Sequence, residues 1–407
     1  MKINKQIFSW TLYDWANSGY ITTVATVFFP LFLKNYWAAN ISPQKSTFYL
    51  GFTNSLVSLF VFIFAPLLGH ISDKKKNKKQ FLTFFIITGS ISAILLSQVD
   101  KGQYILALFI FFISILSFAA SLVFYDALLL HITDKKNFDF VSSLGYAIGY
   151  LGGGLLFIIN ITMVIFYNKW GFKNSVEGVK ASFISVGIWW LIFSIPMLLF
   201  VKEKTTKNSS TGIINFKKIF QTIKNIRKNR NLFFFIIGYL FYIDAVDTTI
   251  KMSMDYGKAL GMEDNGLILA FLIVQFIAIF GTMLMNFISN HIGPKKTVQI
   301  GLYGYISIII AAIFMTKTIH FFLIAIVVGL FQGGVQSLSR SIYARLIPQN
   351  ESGEYFGFFN LIGKFAAIIG PFLVGLFSLL TNNNRIGISI ILIIILIGVH
   401  FLNKVKI

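Results

Sequence analysis

The sequence predicts an all-α membrane protein with twelve transmembrane helices arranged as two six-helix halves. Its apolar residues come in runs of about 20, the length that crosses a hydrocarbon core about 30 Å thick. Of its 407 residues 56% are hydrophobic and only 12% are charged, whereas about a quarter of a soluble domain is charged. A turn after the second run recurs in degenerate form after the eighth. These observations exclude a water-soluble fold.

The apolar runs also define the domains. They predict an N-terminal bundle over 1–201, a basic linker over 202–230 and a C-terminal bundle over 231–407. The first run contains Asp14 and lacks a small-residue cleavage pattern, so we expect a retained helix rather than a signal peptide. The expected spans lie at about 10–33, 48–70, 81–98, 104–125, 142–166, 182–201, 231–252, 266–288, 298–316, 319–340, 356–379 and 386–403.

The formal charge of +20 is concentrated in alternate loops, and the linker 202–230 alone carries nine Lys or Arg. The positive-inside rule therefore places both termini and the linker in the cytoplasm, across a cell inner membrane. A nucleic-acid or anionic-lipid tether would also be basic, but membrane topology explains the charge without nucleic acid. With no Cys and five scattered His, we expect neither a metal site nor a cofactor.

The repeated turn runs from Gly69 to Asp73 and Lys74, with more lysines after it, and its echo carries Asn290 in place of the Asp. This spacing resembles the loop between the second and third helices of the major facilitator superfamily. A Gly permits close helix approach, an Asp can cap and charge-pair with a neighbouring helix, and lysines anchor the loop. The resemblance implies a conformational latch at these residues rather than a substrate site.

Three segments, Tyr13–Tyr20, Ser143–Gly154 and Gln336–Pro348, resemble the vacuole-effluxer-like branch of that superfamily. The branch includes bacterial members of unknown substrate and a fungal vacuolar protein tied to export of amino acids released by autophagy. The resemblance covers nearly the whole chain. It implies the twelve-helix major facilitator fold, a monomer, and secondary transport by alternating access.

Four glycines, Gly145, Gly149, Gly153 and Gly154, fall at helical spacings in the fifth span. They partly match the antiporter motif of the superfamily, although Tyr150 stands where that motif has Pro. Small residues at such spacings also allow tight helix packing. The pattern therefore predicts packing and only suggests antiport.

The seventh span places Asp244, Asp247, Thr248 and Lys251 on one helical face. Ionisable side chains within a membrane are costly unless they are paired or face a cavity. Asp247 has Lys251 one turn away, whereas Asp244 has no such cation, which makes Asp244 the preferred proton carrier. This polar face has two alternative explanations: it lines a central cavity, or it forms a structural salt bridge.

Other spans that the family places around its cavity carry polar residues as well. Asp14 and Asp126 are further proton-coupling candidates, and each could instead form a gating pair with Arg340 or Lys364. The remaining substrate-cavity candidates are Asn17, Ser18, Gln332 and Gln336.

The sequence favours a transporter over an enzyme, since it has no HExxH motif, no Cys nucleophile and no P-loop; the stretch 357–364 lacks the P-loop spacing. The predicted function is proton-coupled export of amino acids or similar small polar metabolites. The alternatives are a lipid or lysolipid flippase and an uncoupled facilitator. The expected partners are a small-molecule substrate, protons and membrane lipids.

Overall fold

The structure is a computed structural model of the chain. It describes residues 3–41, 43–75, 77–203, 224–260, 262, 264–381 and 383–406. Some helical side chains also lie outside this description, among them the predicted latch residues Asp73 and Lys74 and the predicted gating residue Lys364.

The described residues form twelve long helices, and each contains most or all of one predicted span; the spans predicted to end at 98, 166, 201 and 316 run one to three residues past their helices. The helices of the N-terminal half are α1 Lys5–Trp37, α2 Pro43–Lys75, α3 Lys78–Leu95, α4 Tyr104–Ile132, α5 Phe138–Ile165 and α6 Ser175–Phe200. Those of the C-terminal half are α7 Arg230–Ala259, α8 Asp264–Ile292, α9 Pro294–Phe314, α10 Thr318–Leu346, α11 Ser352–Thr381 and α12 Asn384–Asn403.

Ten of these helices are long and apolar enough to cross a membrane, and α2 and α11 contribute the shorter apolar stretches Phe52–Val61 and Ile369–Ser378. The chain is thus an all-α, multi-pass membrane protein. One-residue turns are feasible between its helices: Gly293 joins α8 to α9 with a φ of 86°, a left-handed conformation that glycine adopts without steric cost.

Several helices extend beyond the predicted spans because helical hydrogen bonding continues where the apolar run ends. The fourth span was expected to end at 125, but α4 continues to Ile132. Asp126 therefore lies inside a helix, with only 6% of its surface exposed. The first helix is also irregular, since α1 is π-helical over Tyr20–Phe28 and Leu33–Trp37.

The chain divides into two compact units. The first comprises Met1–Ile132, Ile148–Gly212 and Asn350–Gly357. Its core is rich in aromatic rings: Phe29 stacks on Phe111 with centroids 3.7 Å apart, and Trp37 stacks on Phe183. Burial of such rings dominates core energetics, and it fixes α1 against α4 and α6.

The second unit comprises Thr133–Ala147, Ile213–Gln349 and Phe358–Ile407. Here α7 packs along α12, where a Cβ at Gly398 would stand 2.6 Å from the Tyr242 backbone nitrogen. This close approach positions the middle of α7, which carries the predicted acidic face. The domain boundaries at 201 and 231 stay a prediction.

Candidate functional site

Asp244 lies at the centre of α7, and only 1% of its surface is exposed. Its Oδ1 accepts a hydrogen bond from the Gly370 backbone N–H at 2.9 Å and a longer one from Thr248 Oγ1 at 3.4 Å. Its Oδ2 is buried and has no hydrogen-bond partner among the residues that the structure describes. A buried carboxylate oxygen without a donor is costly in a membrane, so this atom marks the site.

Gly370 on α11 is what brings main chain against the carboxylate. A Cβ at this position would stand 2.0 Å from Thr248 Oγ1 and 2.9 Å from Asp244 Oδ1, so a larger residue would force a side chain or the helix to move. Pro371 follows inside the same helix, and a helical proline removes one backbone hydrogen bond and disturbs the turn before it. The Gly370 N–H thus donates to a side chain of another helix, and Pro371 contributes no N–H to this turn.

The rest of the predicted acidic face is more open than Asp244. Asp247 is half-buried and Lys251 is exposed, and both act electrostatically on Asp244. Tyr305 of α9 is fully buried and interacts electrostatically with Asp247. The structure therefore joins Asp244 to Thr248 and leaves Lys251 at the surface of the unit.

The first unit contains a second buried acid. Asp14 Oδ2 accepts a hydrogen bond from the Tyr125 hydroxyl at 2.7 Å. The Tyr125 ring stacks on Trp10 at 4.3 Å, and Trp10 Nε1 donates to the Tyr125 carbonyl oxygen. Tyr13 donates to Ser121 in the same cluster. Asp14 therefore sits in a hydrogen-bonded aromatic network.

The predicted glycines of α5 pack against α1. A Cβ at Gly149 would stand 2.8 Å from Ser18 Oγ, and one at Gly153 would stand 3.0 Å from the Ser18 carbonyl oxygen. The buried Asn17 is on the same helix. The other two predicted glycines, Gly145 and Gly154, are buried too.

The two acid sites share one pattern, which sequence reasoning missed although it selected every member except Gly370. Asp14, Asn17 and Ser18 in α1 correspond in spacing to Asp244, Asp247 and Thr248 in α7. In each case a glycine of another helix, Gly149 or Gly370, abuts the hydroxyl residue. Aligning the first and seventh spans on their aspartates would have revealed it.

A polar cluster joins the start of α5 to α10. The Arg340 guanidinium donates to Ser142 Oγ at 2.8 Å and lies 4.6 Å from the centroid of the Tyr146 ring. Asp139 pairs with Arg345 at 3.1 Å and accepts a hydrogen bond from Ser289 at 3.1 Å. Sequence reasoning missed Asp139 because it lies between a lysine pair and an apolar run.

A second cluster joins the end of α2 to the start of α11. His70 Nδ1 lies 2.9 Å from Glu354 Oε2, and both side chains are buried. A Cβ at Gly69 would stand 2.2 Å from the Gly353 carbonyl oxygen, so the helices approach closely where the turn motif predicts. Asn290 of the echo is exposed.

The tenth-span candidates lie on α10, where Gln332 and Gln336 are half-buried. The Gln332 side-chain oxygen is buried and has no hydrogen-bond partner. It is thus a further polar atom held ready for a ligand or a water molecule.

Two solved transporter structures superpose on this chain. The human organic anion transporter MFSD10 (TETRAN) superposes with a TM-score of 0.78 at 12% identity, covering 98% of this chain and 99% of that one. The proton:xylose symporter XylE superposes with a TM-score of 0.75 at 16% identity, covering 98% and 95%. The fold is that of the major facilitator superfamily.

The sequence narrows this to one family. The family model described as "Vacuole effluxer Atg22 like" matches residues 40–138 and 130–407. YxiO of Bacillus subtilis (strain 168), an uncharacterized MFS-type transporter, is 35% identical over 98% of this chain and 95% of its own length. Autophagy-related protein 22 of Saccharomyces cerevisiae (strain ATCC 204508 / S288c) is 23% identical over 99% and 92%.

The chain therefore belongs to the Atg22-like vacuole effluxer family of major facilitator transporters. It is a transporter and not an enzyme, as the sequence predicts.

Proposed function

We propose that this transporter exports amino acids or similar small polar metabolites in exchange for protons, by alternating access, and that Asp244 carries the proton. The observation that carries the proposal is the buried and unpartnered Oδ2 of Asp244 near the middle of a membrane-spanning helix. Such an oxygen is stable with a proton or a ligand bound and unstable as a bare charge.

The electrical driving force suits this role. Asp244 lies 14 residues after Arg230, the first residue of α7, which corresponds to about 21 Å along the helix. In this proposal the carboxylate therefore lies near the bilayer midplane. One proton crossing 100 mV supplies about 2.3 kcal/mol, equivalent to about fifty-fold accumulation.

Support for export and for the substrate class comes from the relatives. The family is described as an effluxer family, and its fungal members are named for autophagy. A small zwitterion needs both a negative and a positive partner, and Asp247 and Lys251 beside Asp244 supply both signs. In this proposal Asn17, Ser18, Gln332 and Gln336 add hydrogen bonds.

The clusters around Arg340 and Glu354 serve as gates in this proposal, together with the turn at Gly69. We infer that these helix ends face the cytoplasm, as the positive-inside rule predicts for a chain in the cell inner membrane with both termini inside. Gating by buried ion pairs gives a closed state that opens only when the pairs separate.

The test uses the purified full chain in liposomes with an internal pH dye, challenged with each proteinogenic amino acid. Wild type is compared with Asp244→Asn and with Gly375→Ala, because a Cβ at Gly375 meets nothing within 4 Å. We expect substrate-dependent proton flux in wild type and Gly375→Ala and none in Asp244→Asn. No flux with any amino acid would reject the assignment and favour a flippase or an uncoupled facilitator.

A further inference from the structure

The internal repeat of the acid site gives the chemical identity of what binds Asp244. Both copies hold an aspartate and, four residues later, a hydroxyl residue that abuts a glycine. They differ at the second carboxylate oxygen, which accepts a hydrogen bond from Tyr125 at Asp14 and has no partner at Asp244. The carboxylate oxygen that has a donor at Asp14 is therefore without one at Asp244.

The tyrosine that fills the first copy has no counterpart in the second. The helices α4 and α10 are each 29 residues long, and Ser339 occupies in α10 the position that Tyr125 occupies in α4, counted from either end. A serine is too short to reach as a tyrosine does, and the Ser339 hydroxyl is engaged with Tyr242 at 2.8 Å. Among the described residues, none donates to Asp244 Oδ2.

We propose that Asp244 Oδ2 binds the primary ammonium group of the transported molecule, and that this ammonium competes with the proton for the same oxygen. The inference rests on the proposed function and deepens it by naming the substrate class, small molecules with a primary amine. An ammonium group supplies a donor and a full positive charge, which a buried carboxylate binds more strongly than a neutral donor.

Competition for one oxygen also explains exchange. The site cannot hold the amine while the proton is bound, and it cannot hold the proton while the amine is bound. Movement of one across the membrane is therefore coupled to movement of the other in the opposite direction. Asp247 and Lys251 set the local field on Asp244 from its own helix, and the facing group from α11 is the uncharged Gly370 N–H.

Five charged groups on the other described helices that pack against α7 are engaged elsewhere. Arg340 and Arg345 of α10 hold Ser142 and Asp139. Arg385 of α12 and Lys295 of α9 donate to main-chain carbonyls, and His291 of α8 contacts the Phe287 carbonyl oxygen.

The test measures thermal stabilisation of the purified full chain in detergent by three sets of probes at pH 6 and pH 7. The sets are the proteinogenic amino acids, the amines formed by decarboxylating them, and the acids formed by deaminating them. We expect stabilisation only by compounds that carry the amine. Because the amine competes with a proton, the half-saturating concentration of the amine should be up to ten-fold lower at pH 7 than at pH 6.

Two variants keep the test decisive. Asp244→Asn should lose the stabilisation, and Gly375→Ala should retain it because a Cβ at Gly375 meets nothing within 4 Å. Stabilisation by a deaminated acid, equal affinity at both pH values, persistence in Asp244→Asn, or no stabilisation by any amine would each overturn the proposal.

The two proposals fail separately. Proton flux in liposomes without pH-dependent amine binding would reject the shared oxygen and leave proton coupling in place. Amine binding that depends on pH without any proton flux would leave the binding site and reject the coupled transport.

Discussion

Replacing Gly370 by alanine should damage the Asp244 site while leaving the helix intact. The new Cβ would stand 2.0 Å from Thr248 Oγ1 and 2.9 Å from Asp244 Oδ1, so a side chain or the helix must move. Overpacking of this kind costs about 1–3 kcal/mol, and losing the hydrogen bond from the Gly370 N–H adds about 1.5–3 kcal/mol. Better helix propensity returns about 0.5–1 kcal/mol. We expect a net loss of about 1.5–5.5 kcal/mol in the free energy of unfolding.

The matched control is Gly375→Ala on the same helix, where a Cβ meets nothing within 4 Å. The assay compares the two variants with wild type by thermal unfolding in detergent and by proton flux in liposomes. We expect Gly370→Ala to melt at a lower temperature and to lose substrate-dependent flux, while Gly375→Ala keeps both. Equal stability and equal flux in the two variants would refute the claim that Gly370 shapes the site.

Two further predictions concern buried acids outside this site. Asp139→Asn should lower the free energy of unfolding by about 2–3 kcal/mol because Arg345 loses its carboxylate partner. The double variant Asp139→Asn/Arg345→Gln should recover part of this loss. Thermal unfolding of the wild type and of the single and double variants checks this, and a single variant as stable as the wild type would contradict it. Tyr125→Phe should cost about 1.5–3 kcal/mol because Asp14 loses a charged hydrogen bond, whereas Tyr303→Phe, at a residue 54% exposed, should cost far less; equal losses in the same assay would argue against the Asp14 network.

The fold was predictable because the membrane limits what the sequence can do. Runs of about 20 apolar residues have few alternatives to spanning helices. Helix ends were less predictable. The fourth span was predicted to end before Asp126, but α4 continues through Asp126 to Ile132. The π-helical turns of α1 over Tyr20–Phe28 had no signal in the apolar run that predicted the helix.

The site was predictable in part. Asp244 was conspicuous as a charge in an apolar run, but its main donor, Gly370, lies 126 positions away and is brought close only by the fold. A Gly-Pro pair inside an apolar helix was the available signal. Asp139 and His70 were missed because lysines or loop residues flank them, and their burial depends on Arg345 and Glu354, which are distant in the sequence.

The measurement that tests the central claim most directly separates accumulation from exchange in the Asp244→Asn variant. The full chain is placed in liposomes, and the amino acid used is one that stabilises the wild type. In the first arm a proton gradient is applied and uptake of the labelled amino acid is followed. In the second arm there is no gradient, and exchange of the label for unlabelled amino acid on the opposite side of the membrane is followed.

If Asp244 couples the proton to transport, wild type accumulates label when the gradient is applied and the variant does not. Any exchange of label for unlabelled amino acid that the variant retains should ignore the gradient. Gradient-driven accumulation by Asp244→Asn at the wild-type level would contradict the central claim.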